Sequence, residues 1–266
     1  MLYKKNTSKK LDPELFKNPT SEYRGKPFWA WNGVLHKDKL LEQIEYFKEM
    51  GLGGFYMHTR AGMATEYLSD EFMGLIKSCA EKAKEEEMLP CLYDEDRWPS
   101  GAAGGFVTKN PEYRQKCLLF SVNKLETVSK EQGVKEGKPY PIASFDIVLN
   151  KKGELKSYKI INDGEKASGT LWHAYVVTAE ENGWYNGQTY VDTMSKEAIA
   201  EFIRITHERY FETVGDEFGK SIPTIFTDEP QIFMMETLKF AEDKSEVRVP
   251  WTTDFPETFK ETYGFD

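Results

Sequence analysis

Asp94, Glu95 and Asp96 stand in a row at the end of an apolar run (Met88, Leu89, Cys91, Leu92, Tyr93) that reads as a buried strand. Three adjacent carboxylates repel one another, so they require a cation, a ligand or open water beside them. Arg97 and Trp98 follow, then Pro99 and a glycine-rich loop. Acids beside a flat aromatic face suit a polyhydroxylated ligand or a metal ion. Calcium, which takes several carboxylate and carbonyl oxygens, is the cation that Asp94 and Asp96 would fit. The plainer alternative is a solvated acidic turn with a packed Trp.

A second acidic pair, Asp228-Glu229, precedes Pro230 and closes an apolar strand that starts at Pro223. A carboxylic acid there, walled by Phe226 and Phe233, would have a raised pKa and could protonate a leaving group as a general acid. Otherwise Asp228 caps a helix and Glu229 is solvated. His58 and Arg60 end the strand at 53–58 as candidate hydrogen-bond donors to a substrate, and Trp31 with Asn32 ends the strand at 27–32. Trp29 and Trp31 flank Ala30 and so share a face, core in one orientation and a sugar platform in the other. The glycine-rich loop 101–105 could cradle a phosphate, but its spacing matches neither a P-loop nor a dinucleotide fingerprint, and it reads as a flexible loop. His207-Glu208 opens like a zinc-peptidase helix, but Phe211 stands where the second His belongs and the match fails.

The elements that would position these residues follow from periodicity. Strands are expected at 27–32, 53–58, 88–93 and 223–227. Apolar residues at 40, 41, 44 and 47 predict a helix over 37–50 that Gly51 ends. Ser69 caps a helix running to about Glu87, with Phe72, Ile76, Cys79, Ala80 and Ala83 on one face. Ser195 caps another, with Ile199, Phe202, Ile203, Thr206 and Tyr210 sharing a face up to Gly215. Alternating strands and helices with short connections predict a parallel sheet. Between the third strand and its helix, strands at 116–123, 142–150, 154–161 and 171–179, with a hairpin turn at 150–153, predict an antiparallel β insertion. The tail, 231–266, reads as loop with a helix at 256–263.

The expected fold is therefore α/β, of TIM (β/α)8-barrel type, with the first four β/α units present as a half-barrel. Its parts are units 1–3 at 1–115, the insertion at 116–180, and helix 3, strand 4 and the start of the next unit at 181–266. In such a barrel the C-terminal strand ends carry the active site, which is where the polar residues cluster. No G-x-G-x-x-G follows the first strand, which argues against a dinucleotide-binding sheet. A lone half-barrel leaves two open strand edges, so the other half should come from the same longer chain or another subunit.

At 266 residues the chain can bury a sizeable core, and its net charge of −9 argues against a nucleic-acid partner. Its three cysteines form no CxxC pair, hence no zinc framework or disulfide scaffold, and reduced thiols point to the cytoplasm. Residues 1–10 are basic with no apolar run behind them, so no signal peptide is expected, and no stretch approaches the ~18 apolar residues of a membrane span.

Several of these stretches together form a pattern. Pro27-Phe-Trp-Ala-Trp-Asn32, Gly53-Gly-Phe-Tyr-Met-His58, Tyr93-Asp-Glu-Asp-Arg-Trp-Pro-Ser-Gly101, Tyr190-Val-Asp-Thr193 and Phe226-Thr-Asp-Glu-Pro230 occur in this order. Thr206-His-Glu-Arg-Tyr210 and Gly215-Asp-Glu-Phe-Gly219 accompany them. From about residue 19 onward the chain resembles the start of the catalytic barrel of large bacterial glycoside hydrolases related to the alpha-L-rhamnosidases of glycoside hydrolase family 106. The resemblance implies a TIM barrel within a longer chain, followed by β-sandwich domains, and calcium-dependent, inverting cleavage of rhamnosides. It places the general acid at the end of the fourth strand, on Glu229. Related barrels often carry Asn before that Glu, and Asp228 departs from this.

The expected activity is general-acid-assisted cleavage of a glycosidic bond in an oligosaccharide or glycoside. Trp31, Asn32, His58, Arg60, Asp94, Glu95, Asp96, Trp98 and Asp228 would line the substrate. The rivals are a non-catalytic carbohydrate-binding half-barrel, and a metal-dependent hydrolase built on Asp94 and Asp96.

Overall fold

The structure is a computed structural model that describes residues 6–162 and 164–265, so the first five residues of the basic start lie outside the described residues. The chain divides into two compact units, one of residues up to Gly104 with Phe202–Pro230, the other of Gly105–Glu201 with the residues from Gln231 onward.

The first unit opens with a short helix α1 (Pro13–Lys17), capped by Asp12, whose side chain accepts from the amides of Glu14 and Leu15. Strand β1 (Phe28–Trp31) leads to α2 (Lys37–Glu49), β2 (Gly54–Thr59), α3 (Asp70–Glu85) and β3 (Leu89–Tyr93). The strands pair in parallel in the order β1-β2-β3-β8, where β8 is Ile225–Phe226. The Ser69 hydroxyl accepts from the amide of Phe72 at 3.2 Å, as an N-cap should. Gly51 takes φ +79° after α2, a conformation in which a side chain would be strained. At Gly54 a Cβ would lie 2.1 Å from the Leu89 carbonyl oxygen, so only glycine lets β2 approach β3 there.

Alternation along the strands sorts side chains onto two faces. Trp29, Trp31 and Phe55 turn toward the helices: Trp29 meets Phe47 of α2 at 5.3 Å and Trp31 meets Phe72 of α3 at 5.7 Å, both edge to face. Each large side chain buried in this way contributes about 1.5–3 kcal/mol. Phe28, Tyr56, His58, Tyr93 and Phe226 occupy the other face, with Phe28 at 4.8 Å from His58 and 5.2 Å from Phe226.

The second unit is built on an antiparallel sheet. Strand β4 (Lys116–Ser121) is followed by a helix α4 (Lys130–Glu136), then β5 (Tyr140–Leu149), β6 (Leu155–Ile161) and β7 (Thr170–Thr178). The expected hairpin turn is present: the Gly153 amide donates to the Asn150 carbonyl at 3.0 Å. Val134 of α4, Tyr140 and Val176 form a small buried cluster against Leu118 and Trp251. The sheet order is β6-β5-β7-β4-β9, and β9 (Val247–Trp251) corrects the expectation of loop over this stretch. Pro250, which cannot donate to a ladder, pairs opposite Cys117 on an outer strand, where a proline is tolerated.

Helix α5 (Lys196–Ile205) begins at Ser195, whose hydroxyl accepts from the Ala198 amide at 3.2 Å. The single helix expected up to Gly215 is two, because the chain breaks at Thr206 before α6 (His207–Val214). The Thr206 hydroxyl donates back to the Phe202 carbonyl at 2.7 Å, a local bond that competes with the helical ladder. Helix α7 (Phe255–Tyr263) closes the described chain. Among the described residues no helix is long and apolar enough to cross a membrane.

Candidate active site

Because β1, β2, β3 and β8 run parallel, their C-terminal ends share one edge of the sheet, and the acids sit there. Asp94 leaves β3 fully buried. Its Oδ1 accepts from the Ser100 hydroxyl at 2.7 Å, and its Oδ2 accepts from the Thr227 hydroxyl at 2.5 Å and lies 3.0 Å from Nε2 of His207. A buried carboxylate requires such partners, and here three side chains supply them. Ser100 also fastens the loop to β8: its amide donates to the Asp228 carbonyl, and its hydroxyl accepts from the Asp228 amide, both at 2.9 Å.

Glu95 turns the other way. Its carboxylate is 1% exposed and lies inside the loop that follows. Oε1 accepts from the amides of Asp96 (2.8 Å) and Gly104, and Oε2 from those of Gly101 (2.9 Å) and Ala103 (2.7 Å). The glycine-rich loop therefore does cradle an anion, but the anion is its own Glu95, and the loop is organised rather than flexible. Burial pushes this carboxyl up to about 7, while the four amides, which favour the charged form, act to lower it. With four amide donors already on its oxygens, Glu95 has no lobe for a sugar hydroxyl, which corrects its expected role.

Trp31 is corrected too. It is 1% exposed, on the helix-facing side of β1 and opposite His58, so it forms core and not a platform. His58 is buried, stacked on Tyr93 at 3.8 Å between ring centroids. Its Nε2 lies 3.6 Å from Oδ2 of Asp228, and the Tyr93 hydroxyl donates to the same oxygen at 3.4 Å. Burial lowers the pKa of His58, and the nearby Arg60 charge works in the same direction. His58 is thus neutral near pH 7 and sits behind Asp228 instead of meeting a ligand directly. Asn32 and Arg60 are exposed just past β1 and β2.

Glu229 is exposed, at φ +44°, not enclosed by aromatic walls as the sequence suggested. Its Oε2 accepts from the indole N–H of Trp98 at 3.0 Å. Asp96 pairs with its neighbour Arg97 at 2.8 Å.

The acidic run does not present a calcium site. Asp94 is held by three side-chain partners, Glu95 by four amides and Asp96 by Arg97. No group of three or more His, Cys, Asp or Glu side chains that could hold a metal gathers among the described residues. The chemistry left to the site is that of a solvent-facing carboxylate, Glu229, beside an indole, with Asp228 braced by Tyr93, His58 and Ser100 next to it.

Sequence reasoning missed His207, Thr227, Ser100 and Tyr210, whose hydroxyl donates to the Tyr93 carbonyl at 2.8 Å. Ser100 alone lies close enough in sequence to Asp94 for a local pattern to have suggested it.

No protein-family model and no curated protein matches the sequence. Among solved structures, the chain is similar to a rhamnosidase from Novosphingobium sp. PP1Y, with a TM-score of 0.35 and 14% identity over 67% of this chain. It spans 27% of that structure's length, and a likeness this faint assigns no role to any residue.

Proposed function

We propose that the chain carries part of the catalytic machinery of a glycoside hydrolase, with Glu229 as the general acid. The observation that carries this reading is the exposed Glu229 carboxylate at the C-terminal end of a parallel strand, held by the Trp98 indole N–H. From there the protonated acid would deliver its proton to the glycosidic oxygen as the bond to the sugar breaks, and the indole beside it offers a flat face to the ring. Asp228, Asn32 and Arg60 are the remaining polar groups at the same strand ends. The parallel order and the acids at the C-terminal edge support the finer reading of the first unit as part of a (β/α)8 barrel. That reading requires four more strands, from the same longer chain or another subunit. The second carboxylate would come from those strands, ~6.5–9.5 Å from Glu229 if the enzyme inverts or ~5–5.5 Å if it retains. The substrate is an oligosaccharide or glycoside, and a rhamnoside is the first to test. A metal-dependent hydrolase on Asp94 and Asp96 lacks support, because the oxygens of Asp94 are already occupied by Ser100, Thr227 and His207.

The test is a leaving-group series of aryl and alkyl rhamnosides hydrolysed by the wild type and by Glu229→Gln. A general acid matters most for poor leaving groups, so E229Q should lose about 10²–10⁴-fold on alkyl glycosides and far less on dinitrophenyl ones. Equal losses across the series, or none on alkyl glycosides, would rule the assignment out. Saccharide binding without turnover in the wild type would favour the non-catalytic carbohydrate-binding reading.

A further inference from the structure

The second unit holds a groove of about 570 Å³ that the acid chemistry leaves unused. One wall is a short 3-10 turn, Gly183–Tyr185, pinned at its start by the Asn182 side chain, which accepts from the amides of Trp184 and Tyr185. The turn presents Trp184 with 61% of its surface exposed. This indole is held in one orientation: its N–H donates to Oε1 of Gln231 at 3.0 Å, and the Tyr185 hydroxyl donates to the same oxygen at 3.2 Å. Tyr185 in turn stacks flat on the buried Tyr190, centroids 4.5 Å apart at 10°. A large aromatic surface kept in water by a rigid turn is costly unless something covers it.

The other lining groups are polar in a particular way. Gln231 accepts with its oxygen and keeps its NH₂ donors, and the carboxamide of Gln115 also lines the groove. Thr178 also lines it, with its hydroxyl buried and without a hydrogen-bond partner among the described residues. The charges are lopsided. Glu180 and Glu181 line the groove, whereas the lining cation Arg248 is paired with Glu236 at 3.5 Å and Glu246 at 3.3 Å.

We infer that this groove binds a neutral pyranose ring. A pyranose has an apolar C–H face that lies on an indole and a rim of hydroxyls that both donate and accept, which the Gln231 carboxamide and the acceptor oxygens of Glu180 and Glu181 match. Glu180 and Glu181, which pair with no cation among the described residues, reject a uronate, and a purely apolar ligand would leave the Gln231 NH₂ group and both carboxylates without partners. The groove needs no contribution from Glu229, so its occupancy is independent of the hydrolase reading.

The test is saturation-transfer NMR on the full chain with methyl α-L-rhamnopyranoside, methyl β-D-galactopyranoside, methyl β-D-glucopyranoside and methyl α-D-galactopyranosiduronate as probes. At least one neutral glycoside should bind, with transfer concentrated on the C–H groups of one ring face, and the uronate should not. W184A should weaken that binding at least about tenfold, the scale of a lost aromatic contact. E229Q should leave it intact, whether or not it abolishes turnover. The double variant E180Q/E181Q keeps the aromatic wall and should admit the uronate. The inference fails if no neutral glycoside binds, if binding survives W184A, if E229Q abolishes it, or if the uronate binds the wild type as well as the neutral rings do.

Discussion

The indole N–H of Trp98 donates to Oε2 of Glu229 at 3.0 Å, tying the loop after β3 to the end of β8. The bond fixes one carboxylate oxygen and leaves the other for a substrate. Trp98→Phe keeps a ring and deletes the donor. A lost hydrogen bond to a charged group is worth about 1.5–3 kcal/mol, so kcat on the proposed glycosides should fall by roughly ten- to a hundredfold. Steady-state kinetics with circular dichroism as the fold control measures this, and an unchanged kcat would mean that the indole does not orient the acid.

Glu95 is the staple of the loop that carries Trp98. Each of its oxygens accepts two amides, so Glu95→Gln must set an NH₂ group against two backbone donors whichever way it lies. Leaving two buried N–H groups unsatisfied costs on the order of 2–5 kcal/mol. Urea unfolding should show that loss. A variant as stable as the wild type would mean that the loop does not depend on its internal anion.

His58 makes an acid-sensitive contribution. Its folded pKa is lowered, chiefly by burial, below the ordinary value of 6.5. Below pH 6.5 the unfolded chain takes up a proton that the folded chain resists, so stability is present above that pH and is lost as pH falls toward the lowered folded value. His58→Gln should flatten this part of the profile. Unfolding curves at pH 7.5, 6.5 and 5.5 for both proteins give the difference, and parallel losses would show that His58 carries no such penalty.

Ser100 serves three bonds at once, to Asp94 Oδ1 and to the amide and carbonyl of Asp228. Of these three, Ser100→Ala keeps only the bond from its own amide. The Asp228 amide and the Asp94 carboxylate each lose a partner, at about 1–3 kcal/mol apiece. Hydrogen exchange at the Asp228 amide should speed up by tenfold or more. Exchange at the wild-type rate would place the stability of that strand end elsewhere.

What the sequence made legible was local. Strands β1 to β3 and helices α2 and α3 announce themselves by spacing, and Ser69, Gly51 and the turn at 150–153 by single residues with a fixed physical job. Alternation put Trp31 on the face of Trp29 but could not say which face a helix covers, and Phe72 decided that. Strand β9 was missed because Pro250 disguises a short outer strand. Asp192, part of the family-like pattern, proves to be a buried brace, 2% exposed and 3.9 Å from the equally buried Lys116. The partners of Asp94 were out of reach for another reason: His207 and Thr227 lie 113 and 133 residues further on, and no periodicity spans that distance. Glu95 is the contrasting case, since an acid followed within nine residues by a run of glycine and alanine amides is a readable sign of a self-filled anion nest.

The break of the first unit into two stretches has a consequence during synthesis. Strand β3 leaves the ribosome with its pairing edge bare, and its neighbour β8 arrives only after residues 105–201 of the second unit have been made, with just Leu92↔Ile225 and Tyr93↔Phe226 in register. At about 5–20 residues per second that interval lasts roughly 7–25 seconds. Over most of it Asp94 has Ser100 alone, with His207 made shortly before β8 and Thr227 just after it. The nascent chain therefore carries a half-satisfied carboxylate beside an open strand edge, and translation of β8 is the event that closes both.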